Sequence, residues 1–147
     1  MAAPAYTWEF NCDLFGGNRV PVVVTLEATA IETVVGTALS MDGSGRVALS
    51  TDGNGSKFIG LAAEKTAAVL VAGDPLKVAL AFPGAVYKGT AAADASALTG
   101  FISKLYDFDS DGRLDGTDVT GGGMCIYRTE DAGLTVYCLC TLGPIIG

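Results

Sequence analysis

Short apolar runs alternate with polar and turn-forming residues along the whole of this chain. The runs are VPVVVTLEA (20–28), KFIGLAAE (57–64), AAVLVAG (67–73), LKVALAF (76–82), MCIYR (124–128) and LTVYCLCTL (134–142). Turn signals separate them: GGN at 16–18, DGSG at 42–45, DGNG at 52–55, GDP at 73–75, PG at 83–84, DSDG at 109–112, GGG at 121–123 and DAG at 131–133. Segments of this length with Gly, Asp and Pro punctuation predict an all-β, mainly antiparallel fold, either a small barrel or a sandwich. Within LKVALAF, Leu76, Val78, Leu80 and Phe82 share one face; within TVYCLCTL, Val136, Cys138, Cys140 and Leu142 do. A slip of one residue would turn each set into water, so strand register should be well specified.

Two stretches depart from this rhythm. In AAADASALTGFISKLY the residues Leu98, Phe101, Ile102, Leu105 and Tyr106 recur at three-and-four spacing, with Asp94 or Ser96 as an N-cap. That spacing predicts one short helix near 93–100, with a strand over FISKLYDF as the competing reading. At the start, Tyr6, Trp8, Phe10, Cys12 and Leu14 alternate with Thr7, Glu9, Asn11, Asp13 and Phe15, between the small residues MAAPA and the turn GGN. Residues 1–18 then form either a first strand on the protein's own core or an extended arm that lays aromatic rings on a neighbouring chain. On the arm reading, Tyr6, Trp8, Phe10, Leu14 and Phe15 are the contact residues, and removing 1–15 leaves a folded body. The remainder, 19–147, is a single β-barrel-like domain carrying an inserted acidic loop at about 93–123.

Composition narrows the functions open to such a fold. The net charge is -7, with nine basic residues and no histidine. Phosphate-backbone affinity comes from clustered Lys and Arg, so direct nucleic-acid binding is not expected. Absence of histidine excludes any triad that needs an imidazole. Mean hydropathy is +0.42, yet no apolar run approaches the roughly 20 residues of a membrane helix, which points the extra apolar surface toward subunit contacts. MAAPAYTWEFNCD lacks the basic and apolar regions of a secretory signal. Cys12, Cys125, Cys138 and Cys140 match neither zinc-ligand nor disulfide-framework spacing, and read as reduced, mostly buried thiols.

The chemistry-bearing candidate is DFDSDGRLDGTD at 107–118. On a calcium-loop template Asp107, Asp109 and Asp111 are the early carboxylates and Gly112 the turn glycine. Arg113 stands at the carbonyl position, with Asp115 and Asp118 as the later ligands. The string is similar to the loop of dockerin modules. No helix can follow it, because VTGGG does, and no second copy exists to pair with it. The competing reading is a hairpin turn whose aspartates bond their own backbone. Calcium is the one cofactor the loop would take; otherwise none is expected. Acid–base catalysis of glycoside cleavage needs carboxylates flanking a cleft, which one loop does not provide. Glycine-rich dinucleotide or phosphate loops and a GxSxG elbow are absent, so no catalytic residue is assigned.

The stretch 36–91 contains DGSGRV around Asp42 to Val47, IGLAAE at Ile59 to Glu64, AGDPLKV at 72–78 and PGAVYKG at 83–89. In this order it resembles the small β-barrel decoration, or cement, proteins of tailed-bacteriophage heads. The likeness covers roughly residues 20–91, and LTVYCLCTL follows the same plan loosely. It implies a non-enzymatic protein that binds the major capsid protein on the outer surface of an icosahedral head. It also implies a homo-oligomer, most simply a trimer, made in the bacterial host cytoplasm. The rival readings are a calcium-dependent dockerin-like or adhesion module using 107–118, and a secreted carbohydrate-binding sandwich.

Overall fold

The fold follows from a computed structural model, which describes residues 1–99 and 104–140. Eleven strands are present: β1 (Glu9–Asp13), β2 (Val23–Glu27), β3 (Ala38–Met41), β4 (Val47–Leu49), β5 (Phe58–Ala62), β6 (Pro75–Leu80), β7 (Ala85–Thr90), β8 (Asp107–Phe108), β9 (Leu114–Asp115), β10 (Met124–Glu130) and β11 (Thr135–Cys140). Every ladder between them is antiparallel. A four-stranded sheet runs β1-β7-β11-β10, a five-stranded sheet runs β2-β6-β5-β3-β4, and β8 and β9 form a separate hairpin. Of the two architectures open to the sequence, the sandwich is the one formed. A single bridge, Ala28 to Val47, joins the outer strands of the five-stranded sheet, and the sheets do not close into a barrel.

The alternation in the sequence lands where it should. Leu76 and Val78 are fully buried, while Pro75 before them and Lys77 between them are exposed. Val136 and Cys138 enter the core, with Cys140 packed at its margin. β3 and β5 are buried on both faces, which explains why FIGLA reads as a continuous apolar run. Ala38, Phe58 and Leu61 meet the core between the sheets. Their neighbours Leu39, Ile59 and Ala62 pack with Leu76, Val78 and Ile31 in a second cluster. AAVLVAG is the apolar run that forms no strand: Leu70 packs against the second cluster, but Val69 and Val71 remain exposed. Only a short turn of 3-10 helix at Ser96–Leu98 stands where a helix over 93–100 was expected. Ala95 precedes it, and Asp94, one of the two expected caps, accepts the Ser96 amide on its carboxylate at 2.9 Å. The competing strand over 101–108 falls partly outside the described residues; its end is β8.

The N-terminal stretch is not a separate arm. β1 pairs with β7, and Trp8 is 3% exposed within the same core as Tyr87 and Phe108. Gly89 makes this possible, because a Cβ there would sit inside the indole ring. Burying an indole against its own domain removes more apolar area from water than presenting it on an arm, so the first-strand reading prevails.

Candidate functional site

The acidic segment is built on a turn the chain uses twice. In DSDGR, the Asp109 carboxylate accepts the amides of Asp111 and Arg113, each at 2.9 Å, and the Asp109 amide donates to the Arg113 carbonyl at 2.8 Å. In DGSGR, the Asp42 carboxylate accepts the amides of Ser44 and Arg46 at 2.8 and 2.9 Å, and the Asp42 amide donates to the Arg46 carbonyl at 2.8 Å. The flanking pairs correspond as well: Phe108 faces Leu114, and Met41 faces Val47. Those amide bonds to Arg46, with the Ser44 hydroxyl, hold Asp42 below the usual carboxylate range. Both loops are therefore hairpin turns closed by an aspartate on its own backbone.

This arrangement scatters most of the calcium-template residues. Asp109 also takes the Arg113 guanidinium at 2.8 Å, and Asp111 takes it at 3.3 Å. Asp115 accepts the amide and hydroxyl of Thr117 at 3.0 and 2.7 Å. The ring of Asp107, Asp109, Asp111, Arg113, Asp115 and Asp118 around one centre does not form. Strand pairing sets Asp107 opposite Asp115, and local bonds claim the carboxylates between them.

What converges instead is Asp107, Asp118 and Asp52, which lies in the DGNG turn after β4. One carboxylate oxygen of each lies within 4.8 Å of the others. Asp107 is fully buried and crosses to the DGNG turn, accepting the amides of Gly53 and, at 2.9 Å, Gly55. Gly53 has φ of +94°, and a side chain on Gly55 would run into Asp107. Asp118 accepts the Thr120 amide at 2.8 Å, and its carbonyl accepts the Asp107 amide at 3.0 Å. Hydrogen bonding and repulsion from Asp118, followed by burial and by Asp107, push Asp52 above its ordinary value. Carboxylates at this spacing are stabilised either by a shared proton or by a cation between them. DGNG reads in sequence only as a turn, so Asp52 carried no signal of its own.

The aromatic candidates divide by exposure. Trp8 is in the core, its indole N–H donating to the Gly112 carbonyl at 2.8 Å. Phe10 is half-buried against Phe82 and Tyr87, with ring centroids 5.6 and 6.1 Å away. Leu14 is half-buried, its amide bonded to Gly84. Tyr6 is exposed beside the Arg113 guanidinium, 5.2 Å from the ring centre. Phe15 is 71% exposed and lies across Gly84. Thus Tyr6 and Phe15 keep surface for a partner, whereas Trp8 and most of Phe10 do not. Sequence reading passed over Val20, Val22, Val35 and Val71, all largely exposed. The clue was VPVVV, where valines crowd together without polar alternation. An open cleft of about 640 Å³ lies beside β1, walled by Trp8, Phe10, Val35, Leu61 and Ala79, with the Glu9–Lys88 pair among its lining residues.

The class defined by these observations is an antiparallel β-sandwich with an acidic hairpin locked to its N-terminal strand. No protein-family model matches the chain, and no curated protein matches it.

Proposed function

We propose that this protein is a non-enzymatic capsid decoration protein that seats as an oligomer on the outside of a phage head. The observation that carries the reading is apolar surface left over after both cores have closed. Phe15, Val20, Val22, Val35 and Val71 are each at least 66% exposed. Such surface on an otherwise acidic chain of net charge -7 fits burial against other protein better than contact with nucleic acid. Many copies with modest contacts stabilise a shell collectively, because each oligomer engages several sites at once. Phe15 and Tyr6 are the N-terminal residues that would touch the shell. Truncating 1–15 would remove Trp8 from the core, so Phe15→Ser is the cleaner test. Co-sedimentation with phage heads should fall for Phe15→Ser while its circular dichroism stays unchanged. Failure of the unaltered protein to sediment with any head overturns the reading.

The Asp52, Asp107 and Asp118 cluster favours a second reading, a calcium-stabilised binding module. Calorimetric titration with calcium separates the two. Heat at micromolar to millimolar metal that is lost in Asp118→Asn supports the second reading; none at millimolar metal ends it.

A further inference from the structure

The DGNG turn at 52–55 contains Asn54–Gly55, the pairing at which asparagine most readily loses its side-chain amide. The Gly55 nitrogen attacks Cγ of Asn54, the bond to the side-chain nitrogen breaks, and a five-membered succinimide closes. Ammonia leaves with the proton that Gly55 gives up, and water then opens the ring to aspartate or isoaspartate. Glycine is the fastest neighbour because no side chain shields its nitrogen and its backbone turns freely into the ring. In this fold the reacting atoms are held apart. The Gly55 amide donates to the buried Asp107 carboxylate at 2.9 Å. Attack needs that nitrogen to lose its proton, and a carboxylate against it disfavours a second negative charge. The Asn54 carboxamide is held at both ends: its oxygen accepts the Thr51 amide and its nitrogen donates to the Leu49 carbonyl, each at 2.9 Å. With ψ of 14° at Asn54, the Gly55 nitrogen nearly eclipses the backbone nitrogen of Asn54, whereas ring closure requires it to eclipse Cβ.

We infer that Asn54 is a latent deamidation site, kept shut by Asp107 while the acidic hairpin is docked and opened when that hairpin lifts. Asp107 reaches the turn from β8, 52 positions along the chain from Gly55, so the protection is tertiary. Its other carboxylate oxygen accepts the Gly53 amide, the nitrogen that would attack Asp52 in the same manner with loss of water. One buried side chain thus restrains both reactive pairs of DGNG. Modification is one-way. The acid formed at position 54 turns an oxygen toward the Leu49 carbonyl, where a donor stood, and adds negative charge to a turn that already carries Asp52. Isoaspartate also inserts an extra carbon into the backbone of the turn. A molecule whose hairpin stays lifted is therefore marked chemically and redocks less well.

The site does not depend on the capsid reading, and head co-sedimentation is a separate readout, so either idea can fail alone. The test is peptide mapping by mass spectrometry during incubation in mildly alkaline buffer. Conversion at Asn54 is followed in the full chain, in Asp107→Asn and in a synthetic peptide of residues 50–58. The peptide should deamidate at least about tenfold faster than the folded protein, because reaction in the protein must wait for local opening. A folded protein that reacts at the peptide's rate overturns the inference. In Asp107→Asn the carboxamide accepts at one end only, so one glycine amide loses its acceptor. With its circular dichroism unchanged, this variant should deamidate faster than the unaltered protein, and an equal rate refutes the role of Asp107. If Asp107→Asn does not fold, hydrogen exchange at Gly55 of the unaltered protein decides, since both reactions draw on the same nitrogen. Slow exchange there supports the hold, and exchange at free-peptide rates refutes it.

Discussion

The indole N–H of Trp8 donates to the carbonyl of Gly112 at 2.8 Å, tying the first strand to the tip of the acidic hairpin. The neighbouring Tyr6 amide donates to the Asp111 carbonyl at 3.0 Å, so the two segments are held at consecutive hairpin residues. Trp8 also meets Phe108 edge to face, with ring centroids 5.6 Å apart. Gly112 is buried, so its carbonyl depends on the indole for a partner in that environment.

Substituting Trp8 by Ala should therefore cost about 3–5 kcal/mol through lost packing. Trp8→Phe restores an aromatic ring but leaves the carbonyl bare, at about 1–3 kcal/mol. Urea unfolding followed by circular dichroism measures both. A loss well under 1 kcal/mol for Trp8→Ala would show that the first strand is dispensable after all.

Tyr87 presents the opposite case. It is fully buried between Phe10 and Phe58, and its hydroxyl has no hydrogen-bond partner among the described residues. Burial raises its pKa, so the phenol stays neutral and its oxygen is simply dehydrated. Tyr87→Phe should be stabilising by about 1 kcal/mol, because the orphaned hydroxyl goes and the ring stays. At this chain length the melting temperature should rise by about 2–4 °C. A fall instead would mean that the hydroxyl is satisfied in solution.

Asp52 makes stability depend on pH in a known direction. Its pKa is raised in the folded protein, so the folded state holds a proton that the unfolded chain has already released. This favourable contribution is complete below the ordinary value of 3.8 and is lost as pH rises through the raised one. Asp52→Asn should therefore melt above the unaltered protein at pH 7, with the gap closing toward pH 4. Melts in a chelator at both pH values test this; a gap that widens on acidification contradicts the assignment. With calcium added, only the unaltered protein should gain stability if the cluster holds the ion.

The thiols should separate by burial. Cys12 is exposed, whereas Cys138 is fully buried and its pKa is pushed well above 9.0, first by burial. An aromatic disulfide reagent should modify Cys12 in the native protein and Cys138 only on unfolding. Comparable rates at the two would show that the core opens far more easily than its packing implies.

Much of the fold was legible in the residues because period-two alternation has one physical cause, a strand with a wet face and a dry face. LKVALAF and TVYCLCTL had to lie with Val78 and Val136 inward, whatever sheet received them. The repeated Asp–x–x–Gly–Arg spelling likewise determined two turns, since an aspartate can close that loop using its own backbone. Long-range choices were decided only by the tertiary structure. Trp8 could have served a neighbour or its own core; the bare backbone of Gly89 and the carbonyl of Gly112 decided for the core. The calcium spacing of 107–118 was spelled along the chain, but β8–β9 pairing dispersed it. Asp52, brought from a distant turn by the amides of Gly53 and Gly55, completed a different cluster. Local spacing sets which way a side chain leaves the backbone; which groups finally meet is set by how the sheets stack.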